Sequence, residues 1–218
     1  KFLLQIIVAK ILIDQGYVIS NYHGLFGLYE VPWLLAQAST VFVFLVVVNA
    51  INFIDGVDGL AITEVIKSFL FIELLSEKLT SLSPLGFITI CTILPLYYFN
   101  FKKRGKIFLG DSGSMLLGTL VIIYLLNVLG ENYNLKMGNQ INKSLFSVLV
   151  ILYPLTDLLR VFILRIKEGK SPFVADQNHI HHYFLKKLKN KHFFTVVLIS
   201  TVGFLITRII ISLTNWIS

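Results

Sequence analysis

Apolar runs dominate the chain, with short polar breaks between them. Seven candidate spans follow from that pattern, at 2–19, 33–51, 60–79, 84–99, 113–130, 144–164 and 193–214. Most approach the roughly 20 residues that carry an α-helix across a bilayer. Lys10 and Asp14 interrupt the first, and the fourth is short. The pattern predicts an all-α membrane protein, a polytopic transmembrane helix bundle of about seven spans. No internal repeat or linker divides residues 1–218, so one integral membrane domain is expected. The connection 20–32 carries glycines, a proline and aromatic residues, and reads as a short ordered hairpin or an interfacial segment. Its Tyr22 and Tyr29, and Trp33 beside it, suit the membrane–water boundary.

Composition supports the membrane reading: 56% of the residues are hydrophobic and only 14% are charged, against about a quarter charged in a typical soluble domain. The net charge of +7 would point to nucleic acid in a soluble protein. Here the lysine and arginine bias of membrane loops accounts for it, and no nucleic-acid partner is expected. The single Cys91 lies inside an apolar run, which excludes a disulfide framework.

The basic residues also orient the bundle. Lys102, Lys103, Arg104 and Lys106 follow the fourth span, and Arg165, Lys167, Lys170, Lys186, Lys187, Lys189 and Lys191 follow the sixth. The loop 131–143 carries only Lys136 and Lys143, and 20–32 and 80–83 carry none. Loops 52–59, 100–112 and 165–192 are therefore expected together on the cytoplasmic face. No signal peptide is visible in the sequence. The chain opens on Lys1 and enters an apolar segment at once, so further N-terminal helices are expected upstream.

Those three loops hold the unusual polar residues. The first reads NAINFIDGVDGLA, with Asn49, Asn52, Asp55 and Asp58 beside Gly56 and Gly59. Carboxylates at membrane depth cost on the order of 2.5–3.5 kcal/mol unless paired or wet. A loop of Asp-Gly turns and a ligand-binding loop both satisfy this stretch. The second is FLGDSGS, in which Asp111 either caps the fifth span or holds a divalent cation that bridges phosphates. The third, SPFVADQNHIHH, brings His179, His181 and His182 within four residues, beside Asp176. The H-x-H-H spacing fits zinc poorly, because it spreads the rings around a helix. Histidines facing a phosphate, aided by Lys170 and Lys186, fit better, and a loop touching lipid headgroups remains an alternative. Asp157 and Arg160 lie three residues apart in the sixth span, where a buried structural ion pair is expected. Carboxylates for Mg²⁺ and bases for phosphate on one face are what phosphoryl transfer needs, and a reaction at the bilayer edge implies a lipid reactant.

In this order the three motifs resemble the polyprenyl-phosphate N-acetylhexosamine-1-phosphate transferase family, over about residues 1–192. The HIHH form is similar to the undecaprenyl-phosphate GlcNAc-1-phosphate branch, and phospho-MurNAc-pentapeptide translocases form a related branch. The resemblance implies transfer of N-acetylhexosamine-1-phosphate, with GlcNAc-1-phosphate the first expectation. The donor would be a UDP-N-acetylhexosamine, the acceptor polyprenyl (undecaprenyl) phosphate, and the by-product UMP. This would be the first membrane step of a cell-envelope polysaccharide. It implies Mg²⁺, with Mn²⁺ as a substitute, held by Asp111 and by Asp55 as a second carboxylate with Asn52 beside it. It implies a uridine pocket from Gly56, Val57, Asp58, Asn100 and Phe108. His179, His181 and His182 would contact the diphosphate or sugar, with Lys170 on phosphate. It also implies a multi-pass protein of the bacterial inner (plasma) membrane, in contact with membrane lipids and compatible with a homodimer, with its active site on the cytoplasmic face.

Two departures stand out. An upstream Asp-Asp pair that the family carries is absent from the chain, and Gln177 replaces an arginine usual after the aspartate of the histidine motif. The alternatives are transfer of phospho-MurNAc-pentapeptide and, in another class, an ion-coupled transporter using Asp55, Asp58 and Asp157.

Overall fold

The computed structural model describes residues 1–102, 105–136, 141–169, 171, 179–189 and 191–217. Ten α-helices hold most of them: α1 (Phe2–Asp14), α2 (Trp33–Ile54), α3 (Leu60–Leu75), α4 (Ser83–Ile93), α5 (Leu96–Asn100), α6 (Gly110–Leu129), α7 (Lys143–Val150), α8 (Leu152–Lys167), α9 (Ile180–Lys187) and α10 (His192–Ile217). Every predicted span falls on one or two of these helices, which establishes the all-α membrane class.

Fewer of them reach spanning length. Among the described residues four stretches are long and apolar enough to cross a bilayer: Trp33–Ile54, Ser83–Phe101, Gly110–Leu129 and His192–Asn215. A fifth arises if α7 and α8, bent by 76° at their junction, count as one broken span. The expectation of about seven spans is not met. At 1.5 Å per residue α1 and α3 are about 20 and 24 Å long, short of a hydrocarbon core of about 30 Å. The reasons are local. After Leu75 the backbone pairs with the 134–136 loop instead of continuing as helix: Glu77 N–H donates to the Asn134 carbonyl and Lys136 N–H to the Leu75 carbonyl, each at 2.9 Å. Pro154, three residues past the α7–α8 junction at Ile151, has no N–H to give and would clash with the carbonyl one turn earlier, so a straight helix cannot pass.

The bundle is organised around α2 and α6. Their backbones approach closely at Gly118, where an added Cβ would lie 2.9 Å from Val48 Cα. Phe44, Val48 and Ile51 of α2 and Val121 and Tyr124 of α6 are buried there. Tyr124 stacks on Phe69 of α3 at 4.4 Å between ring centroids, and its hydroxyl donates to the Leu82 carbonyl. Glu64 of α3, fully buried, ion-pairs with Lys67 and accepts from Ser200 Oγ of α10 at 2.9 Å. A buried carboxylate needs such partners, and here they tie α3 to α10.

At the opposite end from the motifs, residues 20–32 form the expected hairpin, closed by an Asn21–Glu30 bridge. His23 Nε2 lies 2.9 Å from the Leu129 carbonyl, and Ser144 Oγ donates to the Tyr22 carbonyl. These bonds hold the hairpin over the ends of α6 and α7, with Phe26, Tyr29 and Trp33 exposed.

Candidate active site

The three polar stretches converge at one end of the bundle. The first is the α2–α3 turn. α2 stops at Ile54, Asp55 closes it, and α3 begins after Gly59 in the left-handed conformation (φ 80°). Glycine is required at 59 on a second count, since a Cβ there would sit 2.8 Å from the Phe101 ring. The amide of Asn100 locks this turn to the second stretch. Its Oδ1 accepts from Gly59 N–H at 3.0 Å and its Nδ2 donates to the Ile107 carbonyl. The buried Asp58 carboxylate adds an ion pair with the exposed Lys106. The backbone N–H of Asp58 donates to His192 Nδ1 at 3.1 Å. That nitrogen therefore carries no proton, and its 3.3 Å approach to the Asp58 carboxylate is not an ion pair.

Asp111 stands in the first turn of α6 with 74% of its side chain exposed, where the free N–H groups and dipole of the helix favour an anion. Asn52, in the last turn of α2, donates to Asp111 Oδ1 at 3.1 Å and to Ser114 Oγ at 2.8 Å. Lys1 Nζ donates to Asn52 Oδ1 at 2.9 Å and lies 3.4 Å from Asp111 Oδ2. Asp55 is close enough to feel Asp111. Burial, then repulsion from Asp111 and Asp58, push its carboxyl up to about 7, against the pull of the Gly110 N–H. Two crowded carboxylates and an amide oxygen form a hard oxygen donor set, which suits Mg²⁺ with several of its waters retained. The residues present therefore fit that ion.

The histidines close the third side. Asp157 of α8 is fully buried, and its Oδ2 accepts from His179 Nδ1 at 2.7 Å. Its Oδ1 accepts the Ile180 N–H at 2.6 Å, which caps the start of α9 with a negative charge. The expected Asp157–Arg160 pair is thus corrected: Arg160 is exposed, and the carboxylate serves the histidine cluster. The rings of His179 and His181 stack at 5.1 Å and those of His181 and His182 meet at 4.5 Å. His181 is fully buried, and its Nε2 has no hydrogen-bond partner among the described residues. That atom faces Gly56, where a Cβ would lie 3.0 Å from it and 3.6 Å from His182 Nε2. Burial, only partly offset by Asp157, holds the His181 imidazolium pKa down to about 3.

The structure thus brings together Asn52, Asp55, Gly56, Asp111, His179, His181 and His182. The remaining expected residues separate from them. Val57 is buried in the apolar core, and Asp58 and Asn100 are turned into the protein and bonded there. Phe108 is 61% exposed on the outer loop, and Lys170 lies outside the described residues. Sequence reasoning missed Lys1 and Tyr153, whose hydroxyl lies 3.4 Å from His181 Nδ1, and it gave Asp157 a structural ion pair with Arg160 instead of the histidines. Lys1 meets Asp111 across 110 positions, and no local spacing signals that.

The model of glycosyl transferase family 4 matches residues 1–129. An undecaprenyl-phosphate alpha-N-acetylglucosaminyl 1-phosphate transferase of Yersinia pestis is 33% identical over 67% of this chain and 40% of its own length. One of the same name from Salmonella typhi is 30% identical over 85% of this chain and 51% of its own. A Bacillus subtilis (strain 168) protein named "Probable undecaprenyl-phosphate N-acetylglucosaminyl 1-phosphate transferase" is 30% identical over 100% of this chain and 60% of its own. The chain therefore spans between 40% and 60% of the length of these relatives.

Proposed function

Because the chain belongs to glycosyl transferase family 4, we propose that it transfers N-acetylglucosamine-1-phosphate from UDP-N-acetylglucosamine to undecaprenyl phosphate at the cytoplasmic face of the inner membrane. One observation carries the reading most: the Asn52–Asp111 hydrogen bond and the close approach of His181 Nε2 to Gly56 draw the three polar stretches together. The names of the relatives support the sugar-phosphate and the lipid acceptor.

In this reading an oxygen of the acceptor phosphate forms a bond to the sugar-bearing phosphorus of the donor. The bond from that phosphorus to the bridging oxygen breaks, and UMP leaves with that oxygen. Asp55 and Asp111 would hold Mg²⁺, which when bound neutralises the diphosphate charge. Asn52 fixes the Asp111 carboxylate, and the Lys1 ammonium adds positive charge beside it. His181 offers its partnerless ring nitrogen to a phosphate oxygen across Gly56, where no side chain intervenes. The exposed Phe108 ring is available to stack on the uracil. Positioning and fixed electrostatics of this kind supply most of the rate in phosphoryl transfer.

The transporter alternative loses support, because Asp55, Asp58 and Asp111 lie at helix ends on one side and Asp157 is closed off by its own hydrogen bonds. The test uses the full-length protein in nanodiscs with UDP-[³H]GlcNAc, undecaprenyl phosphate and Mg²⁺, beside UDP-MurNAc-pentapeptide as a competing donor. Lipid-extractable label that depends on Mg²⁺ and vanishes in Asp111→Asn is expected. Label that persists unchanged in Asp111→Asn, or no label at all, would end the reading.

A further inference from the structure

His179 and His181 sit side by side with different partners on the same ring atom. His179 Nδ1 meets the Asp157 carboxylate at 2.7 Å, and a carboxylate only accepts, so this nitrogen carries the proton. His181 Nδ1 meets the Tyr153 hydroxyl at 3.4 Å. Tyr153 is buried, and that contact is the one its hydroxyl makes among the described residues. The Asp157 Oδ2 atom lies farther from His181 Nδ1, at 3.6 Å, and already accepts from His179. If His181 were protonated at Nδ1, the Tyr153 proton would have no acceptor in a buried place, a cost of about 1–3 kcal/mol. With Tyr153 donating, His181 carries its proton on Nε2, the buried atom left without a hydrogen-bond partner among the described residues.

We propose that Asp157 and Tyr153 are positioning residues that hold His179 and His181 in opposite tautomers. One imidazole then presents a lone pair at Nε2 and its neighbour presents an N–H, with ring centroids 5.1 Å apart. On the transferase reading above, on which this inference rests, the His181 N–H meets a phosphate oxygen and the His179 lone pair accepts from a substrate hydroxyl. The proton position on each ring is set by α8, which carries both Asp157 and Tyr153. A carboxylate behind a working histidine is known to act through the tautomer. Replacing it by the amide in a serine protease leaves the geometry intact and lowers kcat about 10⁴-fold.

The experiment is ¹⁵N NMR of histidine-labelled full-length protein in nanodiscs, with His179→Gln and His181→Gln used for assignment and steady-state kinetics measured alongside. The wild type is expected to show His179 protonated at Nδ1 and His181 at Nε2. In Asp157→Asn the amide oxygen still accepts from Ile180 N–H, but the amide NH₂ faces His179 Nδ1 and forces that ring to protonate at Nε2. In Tyr153→Phe the His181 preference is lost. Each variant is expected to lose about 10²-fold or more in kcat with KM nearly unchanged. Both rings in one tautomer in the wild type overturns the proposal, even if neither variant folds. So does an Asp157→Asn protein with a flipped His179 and an undiminished kcat. A wild type with the expected tautomers and no transfer activity defeats the transferase reading alone.

Discussion

Gly56→Ala separates the site from the fold. Gly56 does not use left-handed backbone, so alanine can adopt its conformation, and a less flexible unfolded chain favours the variant by about 0.4–1 kcal/mol. Its methyl would lie 3.0 Å from His181 Nε2. The ring cannot easily retreat, since it is fully buried, stacked on His179 and held at Nδ1 by Tyr153. The methyl therefore occupies the place from which a phosphate oxygen would accept. A hydrogen bond to a charged partner contributes about 1.5–3 kcal/mol, and at about 1.4 kcal/mol per tenfold its loss lowers kcat/KM by roughly 10- to 150-fold. Thermal melting in detergent should move by no more than the equivalent of about 1 kcal/mol. A variant with wild-type kcat/KM refutes the reasoning, and so does one whose activity falls only in step with its melting temperature.

Four further outcomes follow from the same contacts. Asn100→Ala strands the Gly59 N–H and the Ile107 carbonyl and should cost about 2 kcal/mol or more in melting experiments; unchanged melting with a raised KM for the nucleotide sugar would instead mean direct ligand contact. His181 is held neutral with its pKa down at about 3, so the unfolded chain binds the extra proton below about 6.5, and stability from this group falls as pH drops from there towards 3. At pH 5 that is ~2 kcal/mol, and His181→Gln should flatten the pH–melting curve in that window. Asp55, pushed up to about 7, must lose a proton to hold a cation; Mg²⁺ affinity should weaken by up to about tenfold per pH unit below 7, with proton release seen by calorimetry in two buffers. Glu64→Ala leaves Lys67 without its buried partner and should cost about 3–5 kcal/mol, while replacing both with leucine is close to neutral in melting.

Much of this was legible in the sequence because it rests on strong local signals. Apolar runs located every helix but α9, which lies in the 165–192 segment read as a loop, and the lysine-rich loops put Asp55, Asp111 and the histidines on one side. Span number failed where tertiary contacts override an apolar pattern: the 76–78 backbone leaves α3 to pair with 134–136, and Pro154 breaks the sixth segment. Within the site, type and spacing found the residues that face the opening but could not separate them from those that brace it. Asp58 and Asn100 carry the same chemistry as Asp55 and Asn52, and only burial and partners tell them apart. Lys1 and Asp157 reach the cluster through contacts more than twenty residues distant in sequence, beyond any local pattern.

The central claim is that the aspartates of α2 and α6 and the histidines of α9 share one phosphate-binding opening. Electron–nuclear double resonance on Mn²⁺ bound to the full-length protein with UDP-GlcNAc tests it most directly, using ¹⁵N-histidine protein to read the distance from ion to ring. The account predicts one Mn²⁺ coupled to the diphosphate phosphorus, weak coupling to nearby histidine nitrogen, and loss of both signals in Asp55→Asn/Asp111→Asn. The same phosphorus-coupled Mn²⁺ in the double variant, or an ion bound with no histidine within reach, would contradict it.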